Sequence, residues 1–310
     1  MVVTEMEVYA VSGADGKKRH RPWRKCSDFS DEYIKLLTEE LAPLRPPNGS
    51  DVTNFCLLLI GPISGGKSSF INAVLSAFAG KVIQKVAVGE SEQGVTKRYV
   101  PYQVRQADGS LLRLHLCDTP GLGESSGMDA INLHFLLDGH LPHWYEFSPY
   151  RHVSLRSVGF ISKPTLAQEI HSVALVLDAS TVSDLSPTIK CMINDCKRLI
   201  LEKGIQLVVI LTKIDKLHKD IADDLADVFK HQVVNAAVEK VSEMLGIPPN
   251  NVFPVKNYHS EVETEVAVHT FALMALRKLI CMASDVLEER TNDSDDRTAG
   301  SGEVKESDTA

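Results

Sequence analysis

The chain has 310 residues, 44% hydrophobic and 24% charged, an ordinary globular balance with room for one large domain or two smaller ones. A formal net charge of −8 argues against nucleic acid as the main partner. No run approaches the roughly 18 apolar residues of a membrane span, and the first residues lack a signal-peptide core.

Residues 1–50 read as a leader. Its basic cluster, Gly16-Lys17-Lys18-Arg19-His20-Arg21-Pro22-Trp23-Arg24-Lys25, has two readings. One is a localisation or anionic-surface patch. The other, which is favoured, is a solvated arm whose Trp23 docks on the domain. Ser30 before Asp31 and Glu32 starts a short amphipathic helix, and Pro43, Pro46, Pro47 and Gly49 then break the chain. The main domain is expected over 51–285.

Leu57-Leu58-Leu59-Ile60 reads as a strand buried on both faces, and a helix is expected over 70–79. Between them lies Gly61-Pro62-Ile63-Ser64-Gly65-Gly66-Lys67-Ser68-Ser69, of the form G-x-x-x-x-G-K-S. Gly61, Gly65 and Gly66 let backbone N–H groups curl around an anionic phosphate, with Ser64 and Ser69 in the same cradle. Lys67 can reach the β- and γ-phosphates, the Ser68 hydroxyl can ligate Mg²⁺, and the helix points its positive end at the anion.

Residues 81–97 form a polar loop long enough to move. Two strands follow, over 99–105 and 111–117, joined by the turn Ala107-Asp108-Gly109-Ser110. The second runs into Asp118-Thr119-Pro120-Gly121. Residues 124–166 lack periodicity and hold many aromatic and histidine residues. This long excursion reads as a partner surface or lid. Metal ligation by His140 and His143 has no supporting cysteine or carboxylate cluster.

Strands are then expected over 173–178, 207–212 and 252–255, and helices over 187–202, 220–245 and 264–282. The acidic tail, 286–310, is expected to be disordered. The alternation gives an α/β class: a P-loop NTPase with a mostly parallel sheet, helices on both faces, and ligands beyond the strands' carboxyl ends. Six scattered cysteines, several inside apolar runs, read as reduced thiols, in keeping with a cytoplasmic protein, and Cys191 and Cys196 as buried ones.

The motifs after the phosphate loop decide which nucleotide is expected. Asp118 ends a strand where a P-loop protein places its second Mg²⁺ carboxylate, and the Gly121 N–H would face the γ-phosphate. A hydroxyl at Thr96 can complete an ion site of Ser68, Thr96 and Asp118, ordering the loop when a γ-phosphate is present. Ser91 is the rival, and a bland alternative has Thr96 merely opening a strand. In Thr212-Lys213-Ile214-Asp215, the aspartate can accept from guanine N1–H and its exocyclic amine while the Lys213 stem covers the base. Thr212 stands where guanine-nucleotide-binding proteins more often have Asn. Lys256-Asn257 falls where a fifth loop would touch guanine O6 through its backbone.

This order of motifs resembles the guanine-nucleotide-binding domain of the translation-factor-related GTPases over roughly 53–284. Several stretches are also similar to the interferon-induced protein 44 family. They are Pro22-Trp23-Arg24, Gly61 through Asn72, Asp138-Gly139-His140 and Val255-Lys256-Asn257-Tyr258. The resemblance implies a cytoplasmic GTP-binding protein of interferon-induced innate and antiviral immunity. Members often carry an N-terminal TLDc-type domain, which the leader is expected to be too short to hold.

Hydrolysis needs a water-orienting group, and the expected place holds Leu122; Glu124 or a partner residue could substitute. Turnover is therefore expected to be slow or absent. The first hypothesis is a Mg²⁺-GTP/GDP switch that orders the 81–97 loop and the excursion for a protein partner. A static nucleotide-holding scaffold and an ATP-dependent P-loop enzyme are the alternatives, and dimerisation is left open.

Overall fold

A computed structural model describes the backbone of residues 11–12, 18–19, 22–25, 29–88, 96–123 and 126–300, and side chains within those spans from 22 to 292. Six strands form one sheet: β1 (Phe55–Ile60), β2 (Val100–Arg105), β3 (Leu111–Asp118), β4 (Ser172–Asp178), β5 (Leu207–Thr212) and β6 (Val252–Pro254). Their order is β2-β3-β1-β4-β5-β6, parallel throughout except for β2, which runs antiparallel to β3. β1 and β5 are buried at every position, as continuous apolar strands covered on both faces must be.

The helices are α1 (Asp31–Leu41), α2 (Lys67–Ala79), α3 (Ala130–Leu137), α4 (Pro187–Glu202), α5 (Lys219–Asp223), α6 (Gln232–Leu245) and α7 (Val266–Gly300). α2 packs on α7, α1 on α7, and α3 on α4. Right-handed crossovers put α2, leading from β1 toward β3, on the face opposite α4, which leads from β4 to β5. The chain thus leaves β1 and β4 in opposite directions and opens a crevice at their carboxyl ends.

Several elements differ from the sequence reading. The single helix expected over 220–245 is three pieces: α5, a 3₁₀ segment Leu225–Lys230, and α6. Asp224 breaks it, with non-helical φ −144° and a side chain that accepts from Ala226 N–H. Aspartate competes for backbone donors in this way. The excursion contains α3, where no helix was expected. Asp129 caps it by accepting from Asn132 N–H, and the nearly all-apolar run behind the cap hid the helical period.

The last helix runs to Gly300, past the point where the tail was expected to leave the fold. Its stretch 266–292 is long and apolar enough to cross a bilayer, but its most apolar window is 67% buried, in a helix packed on β1, β4, β5 and β6. Cys191 is exposed, against the expectation of a buried thiol, whereas Cys56, Cys117 and Cys196 are buried.

The leader is tied to the body. Trp23 N–H donates to Phe229 O at 2.9 Å, its ring meets Phe229 edge-on at 5.3 Å, and Arg24 lies over both rings. Within the basic cluster, Lys18–Arg19 pairs with Val11–Ser12 as a two-residue ribbon. The remaining cluster residues before Pro22 lie outside the described residues, as do Ser91, Glu124 and 301–310.

Candidate nucleotide-binding site

The loop from Gly61 to Gly66 fills the end of the crevice. Gly61 has φ +146°, and a Cβ there would sit 2.1 Å from Val176 O on β4. A Cβ on Gly65 would meet the same carbonyl at 2.9 Å. Both glycines are therefore required by close backbone approach, not only by a ligand. Gly66, at φ +96°, is the N-cap of α2, so the helix begins at Lys67 rather than after the loop. Ser64 is exposed and left-handed (φ +61°), and Ser69 lies in the first turn of α2.

Lys67 is buried, and its Nζ donates to Gly61 O and Pro62 O, each at 3.0 Å. Burial pulls its pKa down to about 8, while nearby Asp118 acts in the opposite direction. Asp118, at the end of β3, is buried too, and desolvation raises its pKa against the pull of Lys67, Ser68 and Thr96. Ser68 Oγ donates to Asp118 Oδ2 at 2.8 Å, and Thr96 Oγ1 donates to the same oxygen at 3.3 Å. The two hydroxyls are 3.5 Å apart. Three residues far apart in sequence thus bring hard oxygen donors to one point beside a buried ammonium. This donor set fits Mg²⁺ chemistry.

Thr119 Oγ1 donates to Leu59 O at 2.7 Å, fixing the turn after β3 against β1. Gly121 is pressed on the phosphate loop: a Cβ there would lie 2.6 Å from Ile63 Cα. Leu122 N–H donates to Gly61 O at 2.8 Å, and the Leu122 side chain is 1% exposed. Its apolar side chain belongs to the core.

The Thr212 side chain bonds to backbone. It is fully buried at the end of β5, and its Oγ1 lies 2.6 Å from Gly65 O and 3.1 Å from Leu177 O. The single hydroxyl proton is committed to the phosphate loop and β4. Lys213 is left-handed (φ +57°) and its Nζ pairs with Asp178 Oδ2 at 2.8 Å. Among the described residues no hydrogen bond or ion pair engages the half-buried Asp215 carboxylate. Lys256 Nζ turns to Glu261 (2.8 Å) and Glu265 (2.9 Å), away from any base-reading task for its side chain.

One contributor, Asp178, escaped the sequence reading, and the side-chain role of another, Asn257, did too. Asp178 holds Lys213; the acidic residue closing an apolar strand was a usable signal. Asn257 Nδ2 donates to Gly66 O at 3.4 Å, while its buried Oδ1 has no partner among the described residues. Nothing in the sequence announces that its side chain reaches the phosphate loop.

The geometry agrees with comparisons to known proteins. The family described as 50S ribosome-binding GTPase matches residues 56–213. The chain belongs to this GTPase family. Interferon-induced protein 44 of Homo sapiens is 33% identical over 274 residues, covering 86% of this chain and 62% of that protein. Interferon-induced protein 44-like of Homo sapiens is 32% identical over 289 residues, covering 87% and 64%. The Mus musculus interferon-induced protein 44 is 30% identical over 273 residues, covering 86% and 65%. The chain thus spans under two thirds of the length of these curated relatives. Homologues carrying this name match the resemblance read from the motifs.

Among solved structures, the probable GTP-binding protein engB is 15% identical with TM-score 0.41, covering 76% of this chain and 99% of that one. A dimerization-deficient mutant of Toc33 from Arabidopsis thaliana is 13% identical with TM-score 0.43, covering 83% and 91%. Together the family match and the sheet order establish a P-loop GTPase-type α/β fold.

Proposed function

We propose that this chain is a cytoplasmic guanine-nucleotide switch of the interferon response, binding Mg²⁺-GTP and Mg²⁺-GDP at the phosphate loop and contacting a protein partner according to nucleotide state. The observation that carries the reading is the meeting of Ser68, Thr96 and Asp118 on one oxygen beside Lys67. Lys67 would hold the terminal phosphates, and the three oxygen-bearing residues would hold the ion. Mg²⁺, when bound, would neutralise the phosphates' charge. Asp215, whose carboxylate has no partner among the described residues, would accept from the guanine edge. Free cysteines at the described positions support a reducing compartment.

Nucleotide-dependent partner contact has a physical route. Residues 97–99, which follow Thr96, are hydrogen-bonded to the excursion: Tyr99 N–H to Tyr145 O at 2.9 Å, Trp144 N–H to Tyr99 O at 2.7 Å, Phe147 N–H to Lys97 O at 3.0 Å. A displacement of Thr96 would pull on that surface. The buried Leu122 favours slow or absent turnover, and so favours a second reading, a static nucleotide-holding scaffold.

Nucleotide affinity and turnover measured for wild type, Lys67→Ala and Asp215→Asn test the proposal. Lys67→Ala should lose most GTP affinity, and Asp215→Asn should weaken GTP and favour xanthosine triphosphate. Wild type that binds no guanine nucleotide, or Lys67→Ala that binds like wild type, would sink it. Structures with GDP and a GTP analogue that superpose in residues 96–99 would favour the scaffold.

A further inference from the structure

The excursion carries a cleft that the nucleotide site does not use. It encloses about 700 Å³ and is lined in part by Trp144, Tyr145, Arg151, Arg156 and Val158. Trp144 (60% exposed) and Val158 (91%) line it, and Tyr150 (91%) and Leu155 (79%) are exposed in the same stretch of chain. Large apolar side chains left exposed at a cleft point to an interaction site.

Trp144 is also strained. Its φ of +68° is one that bulky side chains seldom adopt, and it is held there by the N–H bond to Tyr99 O. Strain of this kind at a bulky, exposed residue points to a use for the ring.

Charge narrows the occupant. Within 142–163 the only acidic residue is Glu146, and it is bound to Arg98 at 2.9 Å. Arg151 and Arg156 face the cleft with no ion pair among the described residues, on a chain whose net charge is −8. A nucleic acid would need a larger array of phosphate contacts than two arginines supply. Two unpaired arginines beside exposed aromatic and aliphatic side chains suit a short acidic segment with apolar side chains.

We infer that this cleft is a docking site for an acidic, aromatic- or aliphatic-bearing segment of a partner protein, with Trp144 as its apolar anchor and Arg151 and Arg156 as its charge readers. The inference stands apart from the nucleotide reading, and its test uses no added nucleotide.

Fluorescein-labelled poly(Glu,Tyr) copolymer is titrated with the full chain and followed by anisotropy, with labelled poly(U) RNA as comparator. Saturable binding to poly(Glu,Tyr) is expected, weakened at least tenfold in the Arg151→Glu/Arg156→Glu double variant. Trp144→Gly supplies the second measurement. Glycine tolerates φ +68°, so this variant should keep or raise the melting temperature while losing at least tenfold in binding. A purely structural tryptophan would give the reverse: lower melting temperature and unchanged binding. The inference is overturned by that reversal, by charge reversal that leaves copolymer binding intact, or by tighter binding of poly(U) than of poly(Glu,Tyr).

Discussion

The phosphate loop and the excursion are both irregular backbone, yet they are fixed by opposite means. The loop is held by missing atoms: Gly61 and Gly65 lie so close to Val176 that no Cβ fits. The excursion is held by added ones. Asn132 Nδ2 donates to Gly127 O at 2.6 Å while its Oδ1 accepts from Val153 N–H at 2.8 Å. His140 stacks on Phe160 at 4.9 Å, and His143 meets Tyr99 and His115 edge-on. A loop held by close approach tolerates almost no substitution. A loop held by pairs fails one pair at a time.

The largest expected effect lies in the phosphate loop. Gly61→Ala places a methyl group 2.1 Å from a carbonyl at a positive φ, and overpacking with backbone strain should cost about 3 kcal/mol or more. Urea unfolding checks this, and a loss below ~1 kcal/mol would break the contrast. Next comes Asn132→Ala in the excursion. It strands the buried Val153 N–H and the half-buried Gly127 O, for a loss of about 2 kcal/mol in the same assay.

Lys67 sharpens the comparison through pH. Its folded pKa of about 8 lies below the ordinary 10.5, so the unfolded chain holds the proton more tightly. Stability from this group therefore rises as pH climbs from about 8 towards 10.5, and its penalty is fully present below that window. The stability difference between wild type and Lys67→Met should move in wild type's favour by ~1 kcal/mol or more across it. A flat difference in paired unfolding curves would mean that burial does not strain the lysine. The smallest effect belongs to the exposed pair that joins the excursion to the 97–99 segment. Arg98→Gln should cost below about 0.5 kcal/mol, because both partners are solvated.

The same contrast explains what the sequence could convey. β1, the phosphate loop and Asp118 were legible because phosphate chemistry and doubly buried strands each demand specific residue types at fixed spacing. The excursion was opaque because its order rests on contacts such as Asn132 with Val153, which have no local signature. In the candidate site the sequence left open where the Thr212 hydroxyl goes, and its partners, the phosphate loop and β4, are remote in sequence. The split of the expected 220–245 helix was half visible, since Asp223 and Asp224 sit where a continuous helix would prefer other residues.

The placement of α7 has a consequence for how the chain is made. This apolar helix covers β1, β4, β5 and β6 and supports α1 and α2, although it is translated after all of them. Until it emerges, the nascent sheet carries an uncovered hydrophobic face, and α1 and α2 lack their main neighbour. Synthesis therefore passes through a long sticky stage that ends abruptly with the last helix, and holdase chaperones would find their target there. Truncations within α7 should consequently yield insoluble protein rather than a smaller folded domain.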